Sequence, residues 1–411
     1  MNKKLGKNIY LILLLFAILP YDYSKLFLGK ASLISNLLTY GIRVYLVFYV
    51  MYYMKKLTLP DECKKVFKYT TIYFVIIFVL NIISSVFFEK TPIIDIITRM
   101  FSMIYMYGFY TYIIYNYKHF DVFNSKLKFV CLVLLLFSIF LYMFYPEIGK
   151  QYEGYNSYVF LGVAGNRNSY YELMMPAIVS ILFLSRNKVK FLDLMFILLI
   201  LITTLATKSI TSIFGIVIFL VFLFAGKIFK NKNIVLKISY IVAIVVWAAF
   251  FASMVNTTYI NKFSALFDHK SSTLSGRTII WEKSIYFIKQ NPILGYGYDN
   301  TLIGDTNNYT LQYDNVFPND THNSIIFMLL SSGIVGTIAL IYLIFITLKK
   351  SFLVVKYDNK YYYITAFIVA NLFRGLTESC FHYPHALFFL YMIVINIRYN
   401  ELMAEKRLEI K

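Results

Sequence analysis

Apolar residues run along this chain in stretches too long and too continuous for one face of a soluble helix. A helix needs about 20 apolar residues to cross the hydrocarbon core of a bilayer, and fewer where packing or local thinning helps. About twelve such stretches can be marked, near residues 8–22, 31–54, 69–88, 93–117, 127–145, 169–185, 190–206, 210–226, 234–255, 323–348, 361–379 and 384–397. Two of the separating segments, 146–168 and 256–322, exceed turn length. The first stretch follows a Lys-rich start, as a cleaved leader would. It is followed by Pro20-Tyr21-Asp22-Tyr23 and no small-residue cleavage site, so it reads as a first span. The pattern predicts an all-α, polytopic membrane protein with one long extracytoplasmic loop before the last three spans. Nine spans fall in 1–255, the loop in 256–322, and three spans with a cytoplasmic tail in 323–411.

Composition points the same way. The 411 residues are 59% hydrophobic and only 15% charged, with a mean hydropathy of +0.64, whereas a soluble domain is about 25% charged. A net charge of +19 raises the alternative of a nucleic-acid partner. Most of the 40 Lys+Arg, however, sit in alternate loops and at both ends, as the positive-inside bias requires. That distribution puts both termini in the cytoplasm and 256–322 outside, with no nucleic acid as partner. Cys63, Cys131 and Cys380 are far apart and form neither a disulfide framework nor a thiolate metal site. No internal repeat of the sort that marks transporters built from inverted halves stands out.

The long loop carries the chemistry. Ser275-Gly276-Arg277-Thr278-Ile279-Ile280-Trp281 opens a helix, with Ser275 as N-cap and Asn291-Pro292 as its far limit. Helical spacing gathers Ile280, Trp281, Ile285, Phe287 and Ile288 on one face and Glu282, Lys283, Lys289 and Gln290 on the other. Arg277 falls on the apolar face. It is either a guanidinium awaiting an anion or an arginine of a frayed first turn that snorkels to water. Gly295-Tyr296-Gly297 follows Pro292. Without a preceding strand it is no dinucleotide signal, and its glycines permit a tight turn. His322-Asn323 then stand at the mouth of the tenth stretch, which contains Gly333-Ile334-Val335-Gly336.

This ordered set, Gly276-Arg277-x-x-x-Trp281, Pro292-x-x-Gly295-x-Gly297, His322-Asn323 and Gly333-x-x-Gly336, resembles the O-antigen ligase and polysaccharide polymerase superfamily. The resemblance extends more weakly to Gly165-Asn166-Arg167-Asn168 and Leu376-Thr377-Glu378-Ser379. Members often have a Ser-Arg pair where this chain reads Ser209-Ile210, so Lys208 is the cation available there. The resemblance implies a polymerase that joins undecaprenyl-diphosphate-linked repeat units into O-antigen or capsule on the outer face of a bacterial cytoplasmic membrane. A ligase transferring the finished glycan is the alternative within the family, and a lipid-linked oligosaccharide flippase the alternative outside it. A chain-length regulator and a flippase are candidate partners.

Such a reaction needs cations for the departing diphosphate and a base for the acceptor hydroxyl. Arg277, Arg167 and Lys208, with the hydroxyl of Ser209, are candidates to bind the diphosphate. His322 is the candidate base, and Arg277 and Glu378 are its candidate catalytic companions. Trp281, Asn323 and Tyr296 are candidates for acceptor contact or loop support, and Tyr298, Tyr309, Tyr313 and Phe317 are further aromatics near a saccharide. No cofactor and no metal are expected. Asp95 with Arg99, and Arg374 with Glu378, are spaced i,i+4 and read either as ion pairs within the bundle or as site residues. Arg43 must find a partner on a neighbouring span, and Pro384 argues against a metal site at His382-x-x-His385.

Overall fold

The computed structural model describes residues 3–19, 25, 41–45, 47–52, 58–87, 93–152, 158–185, 188–229, 232–255, 272–298, 321–380 and 386–409. Some stretches of helix, 93–95 and 272–279 among them, are described by backbone alone. Helices dominate: α1 (Lys3–Ile18), α2 (Asp61–Phe87), α3 (Ile93–Tyr115), α4 (Phe120–Phe144), α5 (Ser169–Ser185), α6 (Phe191–Ala206), α7 (Ile210–Ile228), α8 (Lys232–Val255), α9 (Ser272–Gln290), α10 (Ser324–Tyr357), α11 (Tyr361–Arg374) and α12 (Ala386–Glu409). Among the described residues six of them, α2, α4, α7, α8, α10 and α12, are long and apolar enough to cross a membrane. Large apolar side chains face outward along them, for example Val75, Leu136, Val221, Ile241 and Phe345, as expected of helices whose outer solvent is lipid. Their buried hydroxyls turn back on their own helices, Ser138 Oγ to Leu134 O at 2.7 Å and Ser332 Oγ to Met328 O at 2.9 Å. This satisfies polar groups where no water can.

The helices overrun the apolar stretches at one end of the bundle. α2 begins at Asp61, and α10 and α12 continue to Tyr357 and Glu409. α12 is the central element: 61% of its apolar window is buried, against 28% for α8 at the periphery. It packs on α2, α3, α10 and α11, while α11 also packs on α5, α7 and α8. Arg43 lies 5.5 Å from the centre of the Tyr105 ring on α3, a cation–π contact with a neighbouring helix. Arg99 donates to Ser85 Oγ at 3.4 Å, and the side chain of Asp95 lies outside the described residues. So do residues 381–385 with His382 and His385.

The segment after α4 adds a small departure from the all-α expectation. Lys150–Tyr152 and Tyr158–Phe160 pair antiparallel, Gln151 opposite Val159. The hairpin tucks Val159 and Phe160 inward and leads through a turn at Gly162–Ala164 to the start of α5. Lys25 fixes that turn, donating to Ile148 O at 2.8 Å and Gly162 O at 3.2 Å.

α10 is broken at Gly333, whose φ of 59° and ψ of −165° are open to glycine only. The break exposes backbone groups, and the turn after α9 fills it. Tyr296 N donates to Leu330 O and Gly297 N to Ser331 O, both at 2.8 Å, while Ile334 N donates to Pro292 O at 2.8 Å. From the other side, α2 closes the turn: Ser84 Oγ donates to Leu294 O at 3.1 Å and Tyr298 N to Asn81 Oδ1 at 2.6 Å. Irregular backbone among spanning helices is tolerated where protein satisfies it, as here. Gly295 and Gly333 must both lack a Cβ, since each would otherwise strike the backbone of the other's segment.

Candidate functional site

Four chain segments that end or begin helices at one end of the bundle meet in a continuous polar chain. They are the loop before α5 (Asn168), the turn between α6 and α7 (Ser209), the residue before the N-cap of α10 (His322) and the turn after α11 (Glu378). His322 Nδ1 lies 3.3 Å from Glu378 Oε2. The other carboxylate oxygen, Oε1, accepts from Asn168 Nδ2 at 2.8 Å, and Asn168 Oδ1 accepts from Ser209 Oγ at 2.6 Å. Ser209 in turn N-caps α7, its Oγ accepting from Ser212 N at 3.2 Å. The chain of donors fixes which way the Asn168 amide points. It also fixes the imidazole: a neutral ring facing a carboxylate carries its proton on Nδ1 and its lone pair on Nε2.

Backbone strain marks the same place. Among the described residues only Lys208, at φ 50°, and His322, at φ 49°, are non-glycines with positive φ. Each such residue costs about 1–2 kcal/mol, so the surrounding structure must hold it there. For His322 the holding is explicit. Trp281 Nε1 on α9 donates to Thr321 O at 2.8 Å, and Thr321 Oγ1 donates to Asn323 O at 2.8 Å. Asn323 caps α10, its Oδ1 accepting from the amides of Ile325 and Ile326, and its Nδ2 donates to Leu376 O at 2.9 Å. Ser324 Oγ donates to Glu378 O at 2.9 Å, tying α10 to the Glu378 turn. Glu378 is 6% and His322 19% exposed at the side chain, so the carboxylate lies behind the ring and the ring reaches the surface.

Beneath this chain lies Arg374, 1% exposed. Its i,i+4 relation to Glu378 does not become their ion pair, because α11 ends at Arg374 and Glu378 lies in the following turn. Arg374 instead pairs with Glu172 on α5 at 2.6 Å and donates to Asn168 O at 2.9 Å. Its guanidinium also lies 4.7 Å from the centre of the Tyr171 ring. Gly215 on α7 makes room for both, since a Cβ there would meet the Tyr171 ring at 2.7 Å. Asn168 and Glu172 are thus built into the site without having been assigned a role from sequence, and Arg374, read there as either an ion-pair partner of Glu378 or a site residue, joins them through Glu172 and Asn168. The motif around Asn168 and the charge inside an apolar stretch at Arg374 were the available signals.

The remaining candidates divide. Ser209 is central, and Lys208 beside it is exposed. Arg167 is half-buried next to Asn168, its carbonyl accepting from Ser212 Oγ at 3.4 Å. The side chain of Arg277 lies outside the described residues, as do Tyr309, Tyr313 and Phe317. Tyr296 and Tyr298 are not saccharide platforms: they are 6% and 3% exposed. Tyr296 packs with Ile280, Trp281, Phe287, Ile326, Leu330 and Leu376 in the cluster that seats α9 on α10. The face assigned to Lys283 was wrong. It is buried, with Ile280 and Phe287, because α9 packs against α10 over a wider arc than its apolar residues alone define.

Residues 194–341 match the family model described as O-antigen ligase. That segment carries Lys208, Ser209, Arg277, Trp281, Tyr296, His322 and Asn323, while Asn168, Arg374 and Glu378 reach the site from outside it. No curated protein matches the chain.

Proposed function

We propose that this chain, whose residues 194–341 match the O-antigen ligase family model, is a membrane glycosyltransferase that joins undecaprenyl-diphosphate-linked oligosaccharide repeat units into a surface polysaccharide. The observation that carries this reading is the His322–Glu378–Asn168–Ser209 chain. His322 Nε2 takes the proton of an acceptor sugar hydroxyl. The hydroxyl oxygen attacks the anomeric carbon of the donor, whose bond to the diphosphate breaks with its electron pair leaving on the diphosphate. Glu378 holds the ring and balances the imidazolium, a base and orienter arrangement of general use. Arg277, Arg167 and Lys208 are the cations assigned to the departing charge, and no metal is assigned a role. The site faces the outer side of the cytoplasmic membrane, supplied by a flippase and limited by a chain-length regulator.

The family description itself favours a second reading, a ligase that passes a finished glycan to another acceptor. Both readings use the same donor and base, and differ only in the hydroxyl that attacks. Purified protein, lipid-linked repeat units and EDTA, assayed for lipid diphosphate release and product length, test them together. A ladder of lengthening products is expected from the polymerase; a ligase leaves the repeat units unjoined. His322→Ala should lower turnover by about 10²–10⁴-fold with donor binding retained. Near-normal turnover in that variant removes the base assignment, and an EDTA-sensitive activity restored by a divalent ion removes the metal-free mechanism.

A further inference from the structure

At the end of the bundle opposite the candidate site, α2, α8, α10 and α12 enclose a cavity of about 650 Å³. Along α10 it begins roughly 33 Å from Ser324 at 1.5 Å per residue. Five lysines line it, Lys65, Lys237, Lys349, Lys350 and Lys356, and no Asp or Glu does. None of the five forms an ion pair among the described residues. The sequence builds the lining by helical spacing. Ile346, Lys349, Lys350, Leu353 and Lys356 share one face of α10, while Lys65 with Tyr69 on α2 and Asn233 with Lys237 on α8 each stand i,i+4. Lys350 is held in place, donating to Asn396 Oδ1 at 2.7 Å over the Tyr399 ring.

Like charges gathered in one concavity repel, and the arrangement is favourable when an anion fills it. Ile346, Phe352 and Leu353 add an apolar part to its lining. Just beyond it the outward faces of α8 and α10 expose Ile238, Ile241, Tyr342 and Phe345, residues suited to acyl chains. A phosphate-rich headgroup on a lipid fits both features, whereas a free phosphate uses the charge alone. Basic pockets between spanning helices at the cytoplasmic face are a recurrent headgroup site. We propose that this cavity binds an anionic phospholipid whose headgroup carries two phosphates, with its acyl chains against α8 and α10. The site is independent of the glycan chemistry at the other end.

Native mass spectrometry of the full chain in detergent, titrated with cardiolipin, phosphatidylcholine or inorganic pyrophosphate, tests the proposal. Cardiolipin should bind in preference to phosphatidylcholine and should not be displaced by pyrophosphate at equal concentration. The variant carrying Lys237→Gln, Lys349→Gln and Lys356→Gln, three exposed positions, should bind cardiolipin about 30-fold or more weakly, and Lys188→Gln in another loop should bind as the native chain does. The single Lys349→Gln variant should give a smaller loss in the same direction and serves where the triple variant does not fold. Equal retention of cardiolipin and phosphatidylcholine, displacement by pyrophosphate, or unchanged binding in the lysine variants would overturn it.

Discussion

His322 and Glu378 show how a few atoms set a role. The imidazole is kept in a strained backbone conformation by Trp281 and Asn323, and its Nδ1 is turned to a nearly buried carboxylate. Glu378→Gln keeps the side-chain shape and a partner for Asn168 but removes the charge that faces the ring. Turnover should fall by roughly 10²-fold, less than for His322→Ala, since the base itself remains. The acid limb of the pH–rate profile should move to lower pH in this variant, because an imidazolium forming there has lost its anionic neighbour. A profile that stays in place while activity falls would mean that Glu378 is structural only. Ser209→Ala removes both the α7 cap and the bond to Asn168, so about 1–2 kcal/mol of stability should go with it. The expected readout is a lower Tm in detergent.

At the level of elements, the turn after α9 and the break in α10 form one object. The glycine spacing was visible in the chain, but that Gly295 and Gly333 serve each other was not, because their approach joins segments nearly forty residues apart. Gly333→Ala forces a Cβ into the backbone of Ile293 in a region of φ,ψ closed to alanine. It should destabilise the protein by about 2–4 kcal/mol, read as a drop in the thermal midpoint of tryptophan fluorescence. An unchanged midpoint would show that the break in α10 is not required. Gly336→Ala would meet both the Oγ and the Cβ of Ser332, and since side-chain rotation leaves that Cβ in place, it should lower the midpoint as well. The face of α9 is a related case: spacing of apolar residues identified Ile280, Trp281 and Phe287, while the burial of Lys283 follows from how close α10 comes.

For the whole molecule, the candidate site and the lysine cavity lie at opposite ends of α10, so the orientation of the chain fixes what each can meet. Charge bias predicts that the end with His322 and the 150–160 hairpin faces outward. In a background lacking the three buried cysteines, Tyr152→Cys in the hairpin should react with a membrane-impermeant maleimide in intact cells. Lys188→Cys, between α5 and α6, should react only after permeabilisation. The reverse pattern would put the site in the cytoplasm and remove the proposed donor from its reach.

The sequence by itself determined that the chain lives in a membrane, where most helices lie, and which residues are candidates for its chemistry. These follow from local quantities: the length of an apolar run, a cap, a glycine spacing, a charge in an apolar stretch. For α5 the predicted and observed limits coincide at 169–185, and for α6 they differ by a single residue at the start. Where polar residues continue a helix, as at the starts of α2 and the ends of α10 and α12, hydropathy stops short because the helix continues into water. Only the tertiary structure decided the partners. Arg374 pairs with Glu172 and not with Glu378, and Asn168 joins Ser209 to Glu378. Side chains from distant segments choose one another by the geometry of packed helix ends, and a buried charge takes the partner that packing brings within reach.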